Sequence, residues 1–260
     1  MSGILPFLTL DDFVVFTLVL ARMAGLFAAI PIFGGQRVPL TVRAAAILAI
    51  AMVLFPIVRG YIPQMPADTI SLVILIIRES LVGLSISLLS QLIFAAVQFC
   101  GQMIGMQMGL SMAALFLPDA GQVPEIAVFQ DLLAMLLFMT LGVHHIFIRA
   151  IVESYSLVPV GAWHMSGGLI HFIIAATSGL FVLAIKLAAP VMVSLMGASV
   201  VLGIMARSFP QMNIFMISFP LNIGVGFLVL GLSLQAFSQT LVGAFGGIAA
   251  QIRILFKLMA

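Results

Sequence analysis

Charge is what this sequence has least of. Only 7% of its 260 residues are Asp, Glu, Lys or Arg, against 63% hydrophobic. Ordinary soluble domains run near 25% charged and about 45–50% apolar. So little polar covering cannot hide that much apolar surface from water, which excludes a soluble globular fold and points to an integral membrane or membrane-derived protein. The net charge of +2 is scattered, and this excludes the dense basic patch that nucleic-acid binding requires. Cys100 is the single cysteine, so no intrachain disulfide and no CxxC site can exist. HExxH and Gly-x-Ser-x-Gly patterns are missing as well. No linker or low-complexity tract divides the chain. The N-terminus has no basic leader; Asp11 and Asp12 precede the first apolar run. No small-residue cleavage site follows a short apolar core, and the first helix is read as retained.

What is present is a succession of apolar runs, each about the 20 residues that cross a bilayer as a helix. Phe13 to Phe33 forms the first, with Arg22 at its middle and Pro31 near its end. After the turn Gly34 to Pro39, Arg43 opens a second, Ala44 to Val58. Beyond the Arg59–Asp68 loop, the stretch from Ile70 carries Arg78-Glu79 and then no charge until Asp119. It is too long for one crossing, so it is a hairpin or one very long helix. Leu132 to Ile148 reads as a further span, ending at His144-His145 and Arg149. Glu153 to Gly168, with Pro159 and Trp163, reads as an interfacial loop. Leu169 to Met205 is apolar apart from Lys186, with Pro190 as a kink. A turn at Ser208–Asn213 precedes an uncharged stretch to Ile252 that reads as two helices. Basic residues at Arg37, Arg43 and the C-terminus, against an acidic N-terminus, favour the N-terminus outside and the C-terminus inside.

The charges inside these runs are the informative exceptions. Arg22, Arg78, Glu79, Asp131 and Lys186 each cost roughly 2.5–3.5 kcal/mol at the centre of an inserted helix. Arg78 and Glu79 are adjacent and point about 100° apart on a helix, so they cannot simply neutralise each other. Either partners within the fold and snorkelling satisfy these charges, or they face neighbouring subunits or a watery interior. Nothing converges on catalysis. His144 and His145 are adjacent and do not share a helix face as metal ligands at i and i+4 would. Asp119, Glu125 and Asp131 are spread along a turn and a helix start, where carboxylates favour the N-terminal dipole. The reading is of a non-enzyme with no cofactor and no metal.

One stretch stands out. Gly101, Gly105 and Gly109 recur every four residues and form one helix face along which another backbone could approach closely. Interior glycines cost roughly 1 kcal/mol each against alanine, so tight packing must offset them. Met103, Met106, Met108 and Met112 lie between and after them, leading to an apolar run into Pro118-Asp119. Ordinary helix packing is one account of the ridge. A polytopic secondary transporter is another, with Lys186 and Pro190 at a broken helix. Such a transporter needs converging polar groups, and Gln107 falls away from the face that Gln98 and Gln102 share.

An ordered set of motifs goes further. Arg22…Pro31…Pro39…Arg43, Arg78-Glu79-x3-Gly83, and the run Gly101 to Gly109 with Pro118 and Gly121 after it resemble the FliR family. Gly142-Val-His-His145, Ser154-Tyr-x3-Pro159 and Lys186-x3-Pro190 agree, as do Gly203-x3-Arg207-x2-Pro-Gln-x-Asn-x-Phe215 and Pro220. The resemblance covers essentially the whole chain in order.

The resemblance implies an all-α, membrane-associated fold of long helical hairpins, a FliP-like part at about 1–165 joined to a FliQ-like part at 166–260. It implies a core subunit of the type III export gate at the base of the flagellum, in the inner membrane. The expected partners are FliP-like and FliQ-like subunits, FlhB-like and FlhA-like export components, and unfolded substrates in transit. Helices that look transmembrane by hydropathy would then not all face lipid, and interior charges could be met at subunit seams. Arg22, Arg78, Glu79, Lys186, Arg207, Gln211 and Asn213 are the candidates for such contacts. The family's plug corresponds to about Ser111–Val123: Ser111, Met112, Ala113, Leu115, Phe116, Leu117, Pro118 and Val123. A narrow apolar ring of this kind blocks ions by dewetting, and adaptable Met side chains let it yield and reclose.

Overall fold

The computed structural model describes residues 10–31, 38–61, 68–110, 125–209, 211 and 213–260. Among these, the chain forms seven α-helices and no strand. They are α1 (Leu10–Ala29), α2 (Leu40–Val58), α3 (Thr69–Met108), α4 (Glu125–Thr140), α5 (Val143–Leu157), α6 (Gly167–Ser208) and α7 (Ile214–Met259), with a 3-10 turn at Arg59–Tyr61. By length and composition α2, α3, α6 and α7 can each cross a membrane. The chain is therefore an all-α membrane protein.

Of the two readings of the stretch from Ile70, the long helix is the one formed: α3 runs unbroken for 40 residues. Two expectations are corrected. The run from Leu132 to Ile148 is not one straight helix. Gly142 takes a left-handed φ of +65°, which a residue with a Cβ resists, and α4 and α5 meet there at a 60° bend. Nor does the stretch after Asn213 divide into two helices, since α7 continues for 46 residues. Pro220 lies in its second turn, where the loss is one bond to the Met216 carbonyl, and the helix carries on.

Ser166 caps α6 by accepting from the Leu169 N–H at 3.1 Å, and its hydroxyl donates to the Leu258 carbonyl at 2.8 Å. The start of α6 is thereby tied to the last turn of α7, so the two longest helices form an antiparallel hairpin.

The chain packs as two compact units. The first comprises residues 1–92, 142–176 and 246–260, and the second comprises 93–141 and 177–245. These units follow packing and do not coincide with the 1–165 and 166–260 parts, which concern resemblance. The first unit buries Leu18, Met23, Leu26, Phe27, Phe147 and Phe256. The second is centred on three rings: Phe94, Phe138 and Phe245 lie with centroids 5.6–5.9 Å apart, separations at which aromatic pairs attract beyond their burial alone.

Candidate functional site

In the first unit, α1 and α3 touch backbone to backbone. A Cβ on Gly83 would lie 2.7 Å from the Leu26 nitrogen and closer still to the Arg22 carbonyl, and one on Gly25 would collide with the Ser80 carbonyl. Only glycine at both positions lets the helices come this near. One turn from this notch, Arg22 and Glu79 meet. The Arg22 Nε–H donates to Glu79 Oε2 at 2.6 Å, and neither side chain is exposed.

The rest of the guanidinium is also satisfied. Nη1 donates to Ser154 Oγ at 2.8 Å and Nη2 to the Val158 carbonyl at 3.2 Å. The Tyr155 ring lies 3.9 Å from Arg22 Cζ, close enough for a cation–π attraction. The second carboxylate oxygen of Glu79 accepts from the Gly161 N–H at 3.2 Å. Arg78 is exposed and donates to the Gly161 carbonyl at 2.8 Å. Arg22 and Glu79 thus find partners within the fold, and those partners include the Ser154-Tyr155 pair of the motif set. At the other end of α1, Asp12 is buried and Arg59 closes on it at 2.6 Å.

In the second unit, the three ridge glycines have three different surroundings. A Cβ on Gly101 would run into the Ala127 backbone of α4. Gly105 is buried, yet a Cβ there meets no atom of the described residues within 4 Å. Gly109 ends α3 with a φ of +82° and faces the Phe219 ring of α7. Beside it, Met108 fills the space a Cβ on Gly226 would occupy. The end of α3 is therefore pinned to α4 and α7 just before the proposed plug. Ser111, Met112, Ala113, Leu115, Phe116, Leu117, Pro118 and Val123 lie outside the described residues. Gln98 donates to Asp131 at 3.4 Å, which accounts for part of the Asp131 environment and leaves Gln102 exposed.

Lys186 is exposed midway along α6, between the exposed apolar side chains Val182 and Val193. Arg207 is exposed in the last turn of that helix, and Gln211 and Asn213 are exposed in the turn that follows. In the most apolar windows of α6 and α7 only 11% of residues are buried. His144 and His145 stack at 4.0 Å where α4 bends into α5. Among the described residues no three His, Cys, Asp or Glu side chains are grouped to hold a metal.

The fold defines a class: a helical, polytopic membrane protein whose buried charges hold helices together and whose longest hairpin is left largely uncovered. Residues 13–248 match the family described as bacterial export proteins, family 1. The chain is 33% identical over 225 residues to the flagellar biosynthetic protein FliR of Bacillus subtilis, covering 85% of this chain and 86% of that protein. It is 31% identical over 232 residues to the FliR protein of Escherichia coli, covering 87% and 84%, and 30% identical over 234 residues to that of Caulobacter vibrioides, covering 90% and 93%. This chain belongs to the bacterial export proteins, family 1, the family of FliR.

Proposed function

We propose that this chain is a core, non-enzymatic subunit of the type III protein export gate at the base of the bacterial flagellum, in the inner membrane. With FliP-like and FliQ-like subunits it forms a gated channel for unfolded flagellar proteins, working beside FlhB-like and FlhA-like components. The observation that carries this reading is the α6–α7 hairpin. Its 42 and 46 residues make helices of about 63 and 69 Å at 1.5 Å per residue. The hydrocarbon core of a bilayer is only about 30 Å thick. Roughly half of each helix therefore extends beyond lipid, and its uncovered apolar surface calls for protein. Family membership supplies the kind of assembly.

Residues 111–123 act as the plug in this reading, delivered to the channel by a helix end fixed at Met108 and Gly109. A secondary transporter has less support. Of the charges it would need inside, Arg22 and Glu79 bind each other, and Lys186 faces outward. The deciding experiment is affinity purification of the tagged chain in mild detergent. FliP-like and FliQ-like proteins are expected to come with it. A chain that purifies alone as a well-behaved monomer and binds a small solute would overturn the reading. Replacing Met112, Leu115, Phe116 and Leu117 by Gly is expected to leak ions through an otherwise assembled gate, read as loss of membrane potential. An assembled gate that stays ion-tight with this replacement would remove the plug assignment.

A further inference from the structure

Lys186 poses a question that the Arg22 cluster does not. It is exposed and makes no ion pair or hydrogen bond among the described residues. Steps of three and four along α6 place Gly179, Val182, Lys186, Pro190, Val193 and Gly197 on one face. Gly179, Val182, Val193 and Gly197 are all exposed, so the ammonium stands alone in an apolar stripe. Pro190 has no N–H to give to the Lys186 carbonyl four residues before it, so that carbonyl lacks its helical donor.

Lipid headgroups do not resolve this. Lys186 lies about 29 Å from the start of α6 and about 33 Å from its end. If the lysine sat at a membrane surface, one half of the helix would leave the bilayer with Val193, Val200 and Ile204, or with Ile174 and Phe181, still exposed. A protein surface is needed on either choice. Among the described side chains, a second copy of this chain offers no carboxylate that stands alone in an apolar helix face. Glu79 is buried on Arg22, Asp12 is held by Arg59, and Asp131 is buried with Gln98. Glu125 opens α4, Asp68 precedes α3, and Glu153 lies one turn from Arg149 on a polar face of α5.

We propose that this stripe of α6 is the docking face for a helix of a different subunit, one that carries a single Asp or Glu in an otherwise apolar face and pairs it with Lys186. An ion pair of this kind, enclosed by apolar side chains, fixes register and partner choice more than it adds raw affinity. The inference rests on the export-gate reading, because it requires that reading's other subunits.

Photo-crosslinking side chains placed at Val182 and Val193 in the full, assembled complex are expected to capture a different subunit of that complex. Capture of lipid alone, or of a second copy of this chain, would overturn the proposal. Lys186→Glu is expected to lower recovery of the complex about tenfold or more through like-charge repulsion, with the chain still inserted in the membrane, and Lys186→Arg to preserve it. Changing the captured subunit's acidic residue to Lys is expected to restore recovery in the Lys186→Glu background. Full recovery with Lys186→Glu alone, while the unaltered chain still co-purifies with its FliP-like and FliQ-like partners, would sink the pairing and leave the export-gate reading standing. An unaltered chain that co-purifies with neither would instead remove the export-gate reading.

Discussion

Arg22 and Lys186 are both cations midway along apolar helices, and they are handled in opposite ways. Arg22 is enclosed by Glu79, Ser154, Tyr155 and the Val158 carbonyl, all from its own chain. Lys186 is exposed with apolar neighbours above and below. Side-chain chemistry accounts for part of the difference. A guanidinium offers five donors in a fixed fork and is only weakly hydrated, so several groups arranged around it can replace water. An ammonium on a flexible stem is suited to meeting a single partner charge. The contrast teaches that an intramembrane charge can mark either an internal rivet or an unfinished surface. At Arg22 the chain completes itself. At Lys186, on the largely uncovered α6, it awaits others.

The largest effect is expected from breaking the rivet. Arg22→Met leaves Glu79 buried and unpaired, and loss of one partner from a buried pair typically costs about 3–5 kcal/mol. The variant chain should fail to accumulate in membranes, measured by immunoblot of the membrane fraction after translation is stopped. Pairing Arg22→Met with Glu79→Leu removes both charges and should recover most of the loss. A double variant as unstable as the single one would mean that Glu79 is not the partner whose isolation matters.

Next comes the notch that allows the rivet to form. Gly83→Ala puts a methyl group against the Arg22 carbonyl and the Leu26 nitrogen. Both are backbone atoms, so α1 and α3 must separate, at a cost of about 1–3 kcal/mol. The expected outcome is a lower unfolding temperature of the purified chain or complex in detergent. Arg78→Ala should do less. It removes one hydrogen bond from an exposed side chain to the Gly161 carbonyl, worth about 0.5–1.5 kcal/mol. Proteolysis near Gly161 should become modestly faster, with assembly unchanged.

Much of this was legible in the sequence. Sparse charge and 20-residue apolar runs announce an all-helical membrane protein, and Arg22, Arg78 and Glu79 are visible at once as exceptions. That Arg22 pairs with Glu79 is not legible, because 57 positions separate them and only the match of Gly25 with Gly83 brings their helices together. Ser154 and Tyr155 could be picked out as motif residues, but their role as guanidinium partners needs the three-dimensional arrangement. The break at Gly142 was hidden by an apolar composition that continues across it, since a left-handed φ leaves no mark on hydropathy. The uncharged stretch after Asn213 misled in the other direction. It reads as two helices, but α7 runs on through Pro220, which falls near its start, where proline interrupts a helix less. The ridge at Gly101, Gly105 and Gly109 was legible as a spacing and not as a set of contacts, because Gly101 meets the Ala127 backbone, Gly109 meets the Phe219 ring, and Gly105 meets no described atom.

That last distinction gives the mildest and most discriminating test. Among the described residues Gly101 is a contact and Gly105 is a vacancy. Gly101→Ala should destabilise the chain, because its methyl group meets the Ala127 backbone. Gly105→Ala adds a methyl group where no atom of the described residues lies within 4 Å. Alanine also favours a helix interior by about 1 kcal/mol over glycine, so the chain should hold or gain slightly in unfolding temperature. Gly105→Leu then separates the chain from its assembly. If another subunit's helix fits against this face, the larger side chain should hold it off and lower recovery of the complex, while the chain itself still inserts. A complex of native composition carrying Gly105→Leu would show that the vacancy is only a gap in packing and not a seat for a neighbour.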